Sequence, residues 1–142
     1  MVLQKDCVFC SIRQGTAPAE VVYEDEATIA FMDINPASQG HVLVVPRRHT
    51  RDLFDIEESD ACDVMRAAVK VARAVKGALR ADGVNLFHAS GRAAFQSVFH
   101  FHIHVIPRWE SDGLRAPWRS VPGDLEDIRS AGACIRRHIE ER

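Results

Sequence analysis

Two spacings of hydrophobic residues divide the chain into strand-like and helix-like segments. Short apolar runs, bounded by polar or glycine- and proline-containing turns, predict five strands. They are VVYEDE (21–26), ATIAFMDI (27–34), HVLVVPRR (41–48), VNLFHAS (84–90) and FHFHIHVIP (99–107). A short helical turn, CVFCSIRQG (7–15), precedes the first strand and is predicted to end at Gly15.

One long segment between the third and fourth strands repeats apolar residues at steps of three and four. The residues on this predicted face are Ala61, Val64, Met65, Ala68, Val71, Ala72, Val75 and Leu79. The spacing predicts a helix from about Glu57 to Asp82. Asp55 or Ser59 can cap its start, and Gly83 can end it.

A closing helix is predicted from Leu125 to Ile139. Neighbouring strands are joined by short turns, and only one long helix interrupts them. That order is typical of an α+β fold, in which an antiparallel sheet packs on a helix. The 142 residues predict a single domain over 1–142.

Composition narrows the class of protein. With 46% apolar residues the chain can bury a core, and a net charge of -2 gives no sign of a surface for nucleic acid or membrane. The sequence has no apolar run of transmembrane length, and MVLQKDCVFC (1–10) lacks the core of a signal peptide. We therefore expect a cytoplasmic protein without a disulfide framework.

Three of the seven histidines lie two residues apart in the fifth strand, at His100, His102 and His104. Alternation puts them on one face, roughly 6.6 Å apart along the strand. The other face is apolar and can be buried: Phe99, Phe101, Ile103 and Val105. Three imidazoles on one straight strand cannot share one metal ion, because each metal–nitrogen bond is only about 2.0–2.1 Å. The row instead suits a phosphate chain, with one histidine as nucleophile and its neighbours as donors.

The pair Cys7-x-x-Cys10 is half of a zinc site, and the sequence leaves its other ligands open. The candidates are His41, His49, His88, His100, His138 and the other cysteines. A redox role needs a preceding strand, which six residues do not provide. Reduced, metal-free cysteines are the alternative. Cys62 and Cys134 are predicted to be small buried hydrophobes.

The segment HFHIHVI resembles the histidine-triad (HIT) family pattern, His-φ-His-φ-His-φ-φ, where φ is apolar. QSV before it, PR after it, and FMDINPASQGHVLVVPRRH also resemble this family. The resemblance covers about residues 7–109, leaving 110–142 as a tail. It is nearest to bacterial zinc-containing members of the nucleoside phosphoramidase-like branch. It implies a five-stranded antiparallel sheet with a long helix and a C-terminal helix, paired into a homodimer through the sheet and the long helices.

The resemblance also implies roles for individual residues. His102 would attack the α-phosphorus of a purine nucleotide, and water would release a nucleoside monophosphate from the nucleotidyl-histidine. The His100 carbonyl would fix the tautomer of His102, while His104 and Ser97 would contact the phosphate or the leaving group. The implied nucleotide-binding positions are Ile12, Phe31, Asp33, Ile34, Gln96 and Val98. The implied ligands of a structural zinc ion are Cys7, Cys10, His49 and His100, with no organic cofactor.

Asp33 and a further residue, His41, each have two interpretations. Asp33 would bind the ribose hydroxyls, or it would cap the turn before Pro36. His41 would hydrogen-bond the triad, as the resemblance implies, or it would face water at the start of its strand.

The chain departs from the family pattern before Gln96. Ala89 stands where the branch usually has Asn or Gln, and Phe95 stands where it usually has Gly. An amide contact is therefore missing, and Phe95 is expected to crowd the phosphate loop. His88, Ser90 or Arg92, which are near in sequence, could replace the contact.

Three functions follow as hypotheses. The first is a hydrolase or nucleotidyl transferase that uses His102 on adenosine phosphoramidates, aminoacyl-adenylates or dinucleoside polyphosphates. The second is a hydrolase with a catalytic metal on two of the strand histidines. The third is a nucleotide-binding or sensing module with little turnover, which the departures at Ala89 and Phe95 favour.

Overall fold

The computed structural model describes residues 6–142. Residues 1–5, which form half of the stretch predicted to lack an export signal, lie outside the described residues. The helices are α1 (Val8–Gln14), α2 (Glu58–Leu79) and α3 (Leu125–Glu140). The strands are β1 (Val21–Glu24), β2 (Thr28–Met32), β3 (Val42–Pro46), β4 (Gly83–Phe87) and β5 (Ile103–Arg108).

The five strands form one antiparallel sheet in the order β1-β2-β3-β5-β4, which confirms the predicted α+β fold. The last strand in sequence, β5, therefore lies inside the sheet between β3 and β4. β1 and β4 form the two edges. This placement brings the histidine strand next to β3, where Leu43 pairs with His104.

Both faces of the sheet are covered, each by its own apolar cluster. On one face α2 packs against the sheet through residues including Val64, Ala68 and Val71. On the other face α1 packs Phe9 against a cluster that includes Phe31. Burial on both sides explains why β2 and β3 are continuous apolar runs and do not alternate.

The long helix differs from its prediction at both ends. Its N-cap is Glu57, which makes no side-chain capping bond, and neither Asp55 nor Ser59 serves as cap. It ends after Leu79, where Arg80 takes the left-handed conformation at φ 52°, and Gly83 begins β4. The buried face of α2 also excludes Cys62, which is exposed, so the prediction of a buried hydrophobe there is wrong.

The closing helix α3 begins at an Asp124 cap, whose carboxylate accepts from two backbone N–H groups at 2.9 and 3.0 Å. None of its residues is buried. Cys134 is therefore exposed, contrary to its prediction. Its exposed large apolar residues are Leu125, Ile128, Ile135 and Ile139. No helix within residues 6–142 combines the length and the apolarity needed to cross a membrane.

The loop before β3 depends on a glycine. Gly40 has φ +91°, and an added Cβ would lie 2.1 Å from the Cδ1 atom of Leu79. The missing side chain lets this loop approach the end of α2. It brings the next residue, His41, into the interior at the start of β3, where only 4% of its surface is exposed.

Candidate active site and metal centre

The histidine segment enters the sheet later than predicted, since β5 begins only at Ile103. Residues 98–100 form a bend, and the Phe101 N–H then donates to the Thr50 carbonyl at 2.7 Å. The predicted alternation still holds for the residues that follow, because Phe101 and Ile103 are buried on the α2 face. Phe99 is the exception to the predicted apolar face, with 37% of its surface exposed.

His102 is held in one tautomer by its own strand. Its Nδ1 lies 2.7 Å from the carbonyl oxygen of His100. A carbonyl can only accept, so Nδ1 carries the proton and Nε2 keeps a lone pair. Burial lowers the pKa of His102, and the bond to the His100 carbonyl offsets part of this effect. The ring is thus a neutral imidazole whose free lone pair can act as a nucleophile.

His104 is oriented by His41, which lies 63 residues earlier in the chain. The Ala37 N–H donates to Nδ1 of His41 at 3.0 Å, so the His41 proton must be on Nε2. That Nε2–H faces Nδ1 of His104 at 2.8 Å, which leaves a neutral His104 with its proton on Nε2. Burial, with His102 and His41 nearby, lowers the pKa of His104 to about 4. The triad-bonding interpretation of His41 is confirmed, and the solvent-facing one is wrong.

Asp33 completes this second group of side chains. One carboxylate oxygen accepts from the Asn35 N–H at 2.8 Å, as the turn-capping interpretation expects. The other lies 3.5 Å from Nε2 of His41 and 4.0 Å from Nδ1 of His104. We name Asp33, His41 and His104 the carboxylate–imidazole cluster. Although Asp33 caps the turn, its second oxygen still faces the histidines.

Four other side chains place potential metal ligands around a common point, and we name them the thiol–imidazole cluster: Cys7, Cys10, His49 and His100. Nδ1 of His100 lies 3.4 Å from the Cys7 sulfur and 3.6 Å from the Cys10 sulfur. Nδ1 of His49 lies 3.3 Å from the Cys10 sulfur. Tetrahedral zinc bonds of about 2.3 Å to sulfur and 2.0–2.1 Å to nitrogen require N–S separations of about 3.6 Å. The four side chains therefore fit one tetrahedral metal ion.

The tautomer of His100 also suits a metal ligand. Its Nε2 donates to the Pro46 carbonyl at 2.9 Å, so the lone pair is on Nδ1 and faces the sulfurs. Metal-binding histidines usually donate their other ring N–H to such an acceptor. Burial lowers the pKa of His100 to about 4, which keeps the ring neutral.

The residues proposed to bind the nucleotide lie in different surroundings. Phe31 is buried, and Ile12 and Val98 pack against its cluster. Ile34 is 88% exposed at the end of β2. Gln96 is buried as well, and its amide closes the loop that leads to the histidines.

Gln96 is used by the loop itself. Its Oε1 accepts from the Gly91 N–H, and its Nε2 donates to the carbonyls of Arg51 and Val98. Ser97, next to it, is exposed. A nucleotide contact by either residue stays a prediction.

Phe9 was missed by the sequence analysis. Its ring lies edge-on to Phe31 and His102, both at 5.2 Å between centroids, and 5.8 Å from His100. It therefore contacts both the ring of His102 and a member of the thiol–imidazole cluster, His100. The only signal in the sequence is an aromatic residue within the CVFC pair.

The two residues that depart from the family pattern, Ala89 and Phe95, differ in exposure. Ala89 is buried. Phe95 has φ 72°, and 72% of its surface is exposed, so its ring points outward and the expected crowding of the loop does not occur. Arg92 lies over the ring of Phe99 at 5.7 Å. His88 and Ser90 hydrogen-bond each other at 2.6 Å.

The fold and the three alternating imidazoles define the histidine-triad class. Residues 14–111 match the family model described as HIT domain, and the chain belongs to the HIT family. It is 38% identical over 138 residues to "Protein hit" of Bacillus subtilis, covering 95% of each chain. It is 35% identical to "Adenylylsulfatase HINT3" of Arabidopsis thaliana, covering 96% of this chain and 71% of the relative. It is 33% identical to "Adenosine 5'-monophosphoramidase hnt1" of Schizosaccharomyces pombe, covering 94% and 98%.

Solved structures show the same fold. A HIT family protein from Bacillus anthracis superposes with a TM-score of 0.86 at 36% identity, covering 96% of this chain and 99% of the other. A zinc-bound histidine triad family protein from Mycobacterium smegmatis superposes with a TM-score of 0.75 at 39% identity, covering 96% and 98%.

Proposed function

We propose that the protein hydrolyses, or transfers, the nucleotidyl group of adenosine phosphoramidates or dinucleoside polyphosphates through an intermediate on His102. The observation that carries this proposal is the His102 tautomer. The bond from Nδ1–H to the His100 carbonyl leaves Nε2 as a buried, neutral nucleophile.

The reaction proceeds in two displacements. The Nε2 lone pair of His102 forms a bond to the α-phosphorus, and the bond to the leaving group breaks with its electron pair. Water then attacks the phosphorus, and the P–N bond breaks to give the nucleoside monophosphate and neutral His102. The Nε2–H of His104 can donate to the phosphate or the leaving group, and Ser97 is the proposed second donor.

The nucleotide would lie on the α1 face of the sheet. The base would contact the apolar positions Ile12, Phe31, Ile34 and Val98. The free oxygen of Asp33 would accept from the ribose hydroxyls, and Gln96 would act at the phosphate through the loop that it closes. Two relatives carry names with adenosine or adenylyl substrates, which supports an adenine nucleotide.

The thiol–imidazole cluster is proposed to hold a structural zinc ion. The fit of its distances, the tautomer of His100 and the zinc-bound relative support this proposal. The ion would tie α1 to the segment that carries His102, and it would supply no reaction step. No organic cofactor is proposed.

A cytoplasmic homodimer completes the proposal. β4 is a sheet edge, and Leu86 on it is 43% exposed. Met65 and Val69 on α2 are 45% and 38% exposed. These surfaces support pairing through the sheet and the long helices. Sedimentation of the wild type and of Leu86→Lys tests it: the wild type should sediment as a dimer and the variant as a monomer.

The function is tested by AMP release from adenosine 5′-phosphoramidate, followed by aminoacyl-adenylates and dinucleoside polyphosphates. We expect release by the wild type, none by His102→Ala, and unchanged release by His138→Ala, a matched histidine on α3. Trapping of adenylylated protein in a rapid quench should fail only for His102→Ala.

The second candidate is a nucleotide-binding module with little turnover. It is favoured by buried Ala89, which provides no amide to the leaving group. Tight AMP binding by a folded wild type that releases no product from any substrate would favour this candidate and refute the hydrolase.

A further inference from the structure

His88 lies where the sheet stops supporting the histidine segment. β4 ends at Phe87, which pairs with His104, and the chain then turns away. β5 begins at Ile103, so the carbonyl of His102 lies just before the strand that the ladder holds. The His88 ring lies beside this carbonyl and packs on the ring of Phe101, with 4.4 Å between the ring centroids and 31° between the ring planes.

A chain of hydrogen bonds fixes the proton positions of His88. Its Nδ1 lies 2.8 Å from the carbonyl oxygen of His102, which can only accept, so Nδ1 carries the proton. In the neutral ring Nε2 then accepts, and its partner at 2.6 Å is the hydroxyl of Ser90. The Ser90 oxygen in turn accepts from the Leu53 N–H at 2.9 Å.

The chain thus runs from the Leu53 amide through Ser90 and His88 to the His102 carbonyl. Each link has one donor and one acceptor: the His102 carbonyl requires the proton on Nδ1 of His88, and the Ser90 hydroxyl stabilises that tautomer by donating to Nε2. His102 is then held by two hydrogen bonds, one from its ring and one to its backbone carbonyl. Its ring donates to the carbonyl of His100, and its own carbonyl accepts from His88.

We propose that His88 is a positioning residue for the nucleophile, and that Ser90 stabilises the tautomer in which His88 acts by donating to its Nε2. This inference rests on the proposed function, because it assigns His88 to the aim of His102 Nε2 at phosphorus. It also gives the HAS segment a role that is not contact with the leaving group, since both polar side chains turn inward around buried Ala89.

Three variants test the proposal by single-turnover adenylylation with adenosine 5′-phosphoramidate. His88→Phe keeps a ring on Phe101 and removes the donor, so we expect the rate to fall about 10–100-fold with KM within about 2-fold. His88→Asn restores an N–H near the former Nδ1 and should recover most of the rate. Ser90→Ala should lower the rate less, by about 3–10-fold. His138→Phe is the matched control and should match the wild type.

A spectroscopic measurement separates this inference from the proposed function. In 15N NMR of the imidazoles, His88 of the wild type should be the Nδ1–H tautomer, and Ser90→Ala should shift it toward a mixture. An inert wild type with this tautomer would refute the hydrolase and leave the hydrogen-bond chain intact. An Nε2–H tautomer in the wild type, or equal adenylylation rates for His88→Phe and wild type, would overturn the positioning role. So would His88→Asn that is as slow as His88→Phe.

Discussion

The thiol–imidazole and carboxylate–imidazole clusters contain the first and the last histidine of the triad and are both groups of potential metal ligands, yet their hydrogen bonds differ. In the first, the nearest ligand atoms are 3.3–3.6 Å apart, close to the about 3.6 Å that sulfur and nitrogen require around zinc. In the second, the nitrogens of His41 and His104 are 2.8 Å apart, a hydrogen-bond length and shorter than the about 3.3 Å of two zinc-bound nitrogens.

The second ring nitrogens separate the two clusters further. His100 donates its Nε2–H to the Pro46 carbonyl, which leaves the lone pair on Nδ1 for a metal. His41 accepts at Nδ1 from the Ala37 N–H. In the neutral ring its Nε2 therefore carries the proton and cannot bind a metal. The hydrogen-bond partner of one ring nitrogen therefore decides whether the other nitrogen has a lone pair for a metal or a proton for a hydrogen bond. The presence of other potential ligands nearby does not decide this.

The largest effect should come from breaking the thiol–imidazole cluster. We expect Cys10→Ser to lose bound zinc and to lower Tm by about 10 °C or more, because a metal that binds only the folded state stabilises it. Metal analysis and thermal unfolding, each with and without a chelator, measure this. Cys62→Ser, at an exposed cysteine on α2, is the matched control. A wild type that takes up no zinc, or a Cys10→Ser protein with unchanged Tm, would contradict the metal assignment.

Breaking the carboxylate–imidazole cluster should affect catalysis and leave the metal in place. His41→Phe removes the donor that fixes the tautomer of His104, so we expect kcat for AMP release to fall about 100-fold. Zinc content should equal that of the wild type. Loss of zinc from His41→Phe would show that the two clusters are not separate.

Lowering the pH should reduce the free energy of unfolding through the neutral imidazole of His104 in the second cluster. The pKa of His104 is lowered to about 4 from 6.5, so folding favours its neutral form. That stabilisation is complete above pH 6.5 and is lost as the pH falls from 6.5 toward 4, by up to about 1.4 kcal/mol per pH unit. Urea unfolding at pH 7 and 5 should show a smaller loss for His104→Gln than for the wild type. Equal losses would be evidence against a buried neutral His104.

The smallest effect should come from Phe9, the ring that contacts both His100 of the first cluster and His102. Phe9→Leu keeps the site apolar and loses part of the edge contacts with His100 and His102. We expect the free energy of unfolding to fall by about 1 kcal/mol and Tm by about 3 °C. Zinc content and kcat should change little. A loss of zinc as large as that of Cys10→Ser would mean that Phe9 shapes the metal site itself.

The sequence predicted the elements whose burial leaves a mark on residue type. β2 and β3 are apolar on both faces, and α2 repeats its buried residues at helical spacing. The end of α2 was harder, because Arg80 adopts a left-handed conformation that the pattern assigned to Gly83. Likewise, Cys134 was expected to be a buried small hydrophobe in the closing helix, whereas no residue of α3 is buried.

The candidate site divides in a similar way. Alternation and the cysteine pair identify the triad and half of the thiol–imidazole cluster, because those signals are local in sequence. The bond between His41 and His104 joins residues 63 positions apart, and Phe9 acts through contacts with two distant segments. Such contacts depend on how the strands are ordered in the sheet, which no local pattern contains.

The left-handed turn at Phe95 has a consequence for how this site changes during evolution. The turn is closed by the three hydrogen bonds of the Gln96 amide, and it keeps its shape although a non-glycine residue there costs about 1–2 kcal/mol. The Gln96 bonds therefore let position 95 hold a residue other than glycine without a change in the backbone path. A search pattern that demands glycine at this position would pass over proteins whose loop is the same.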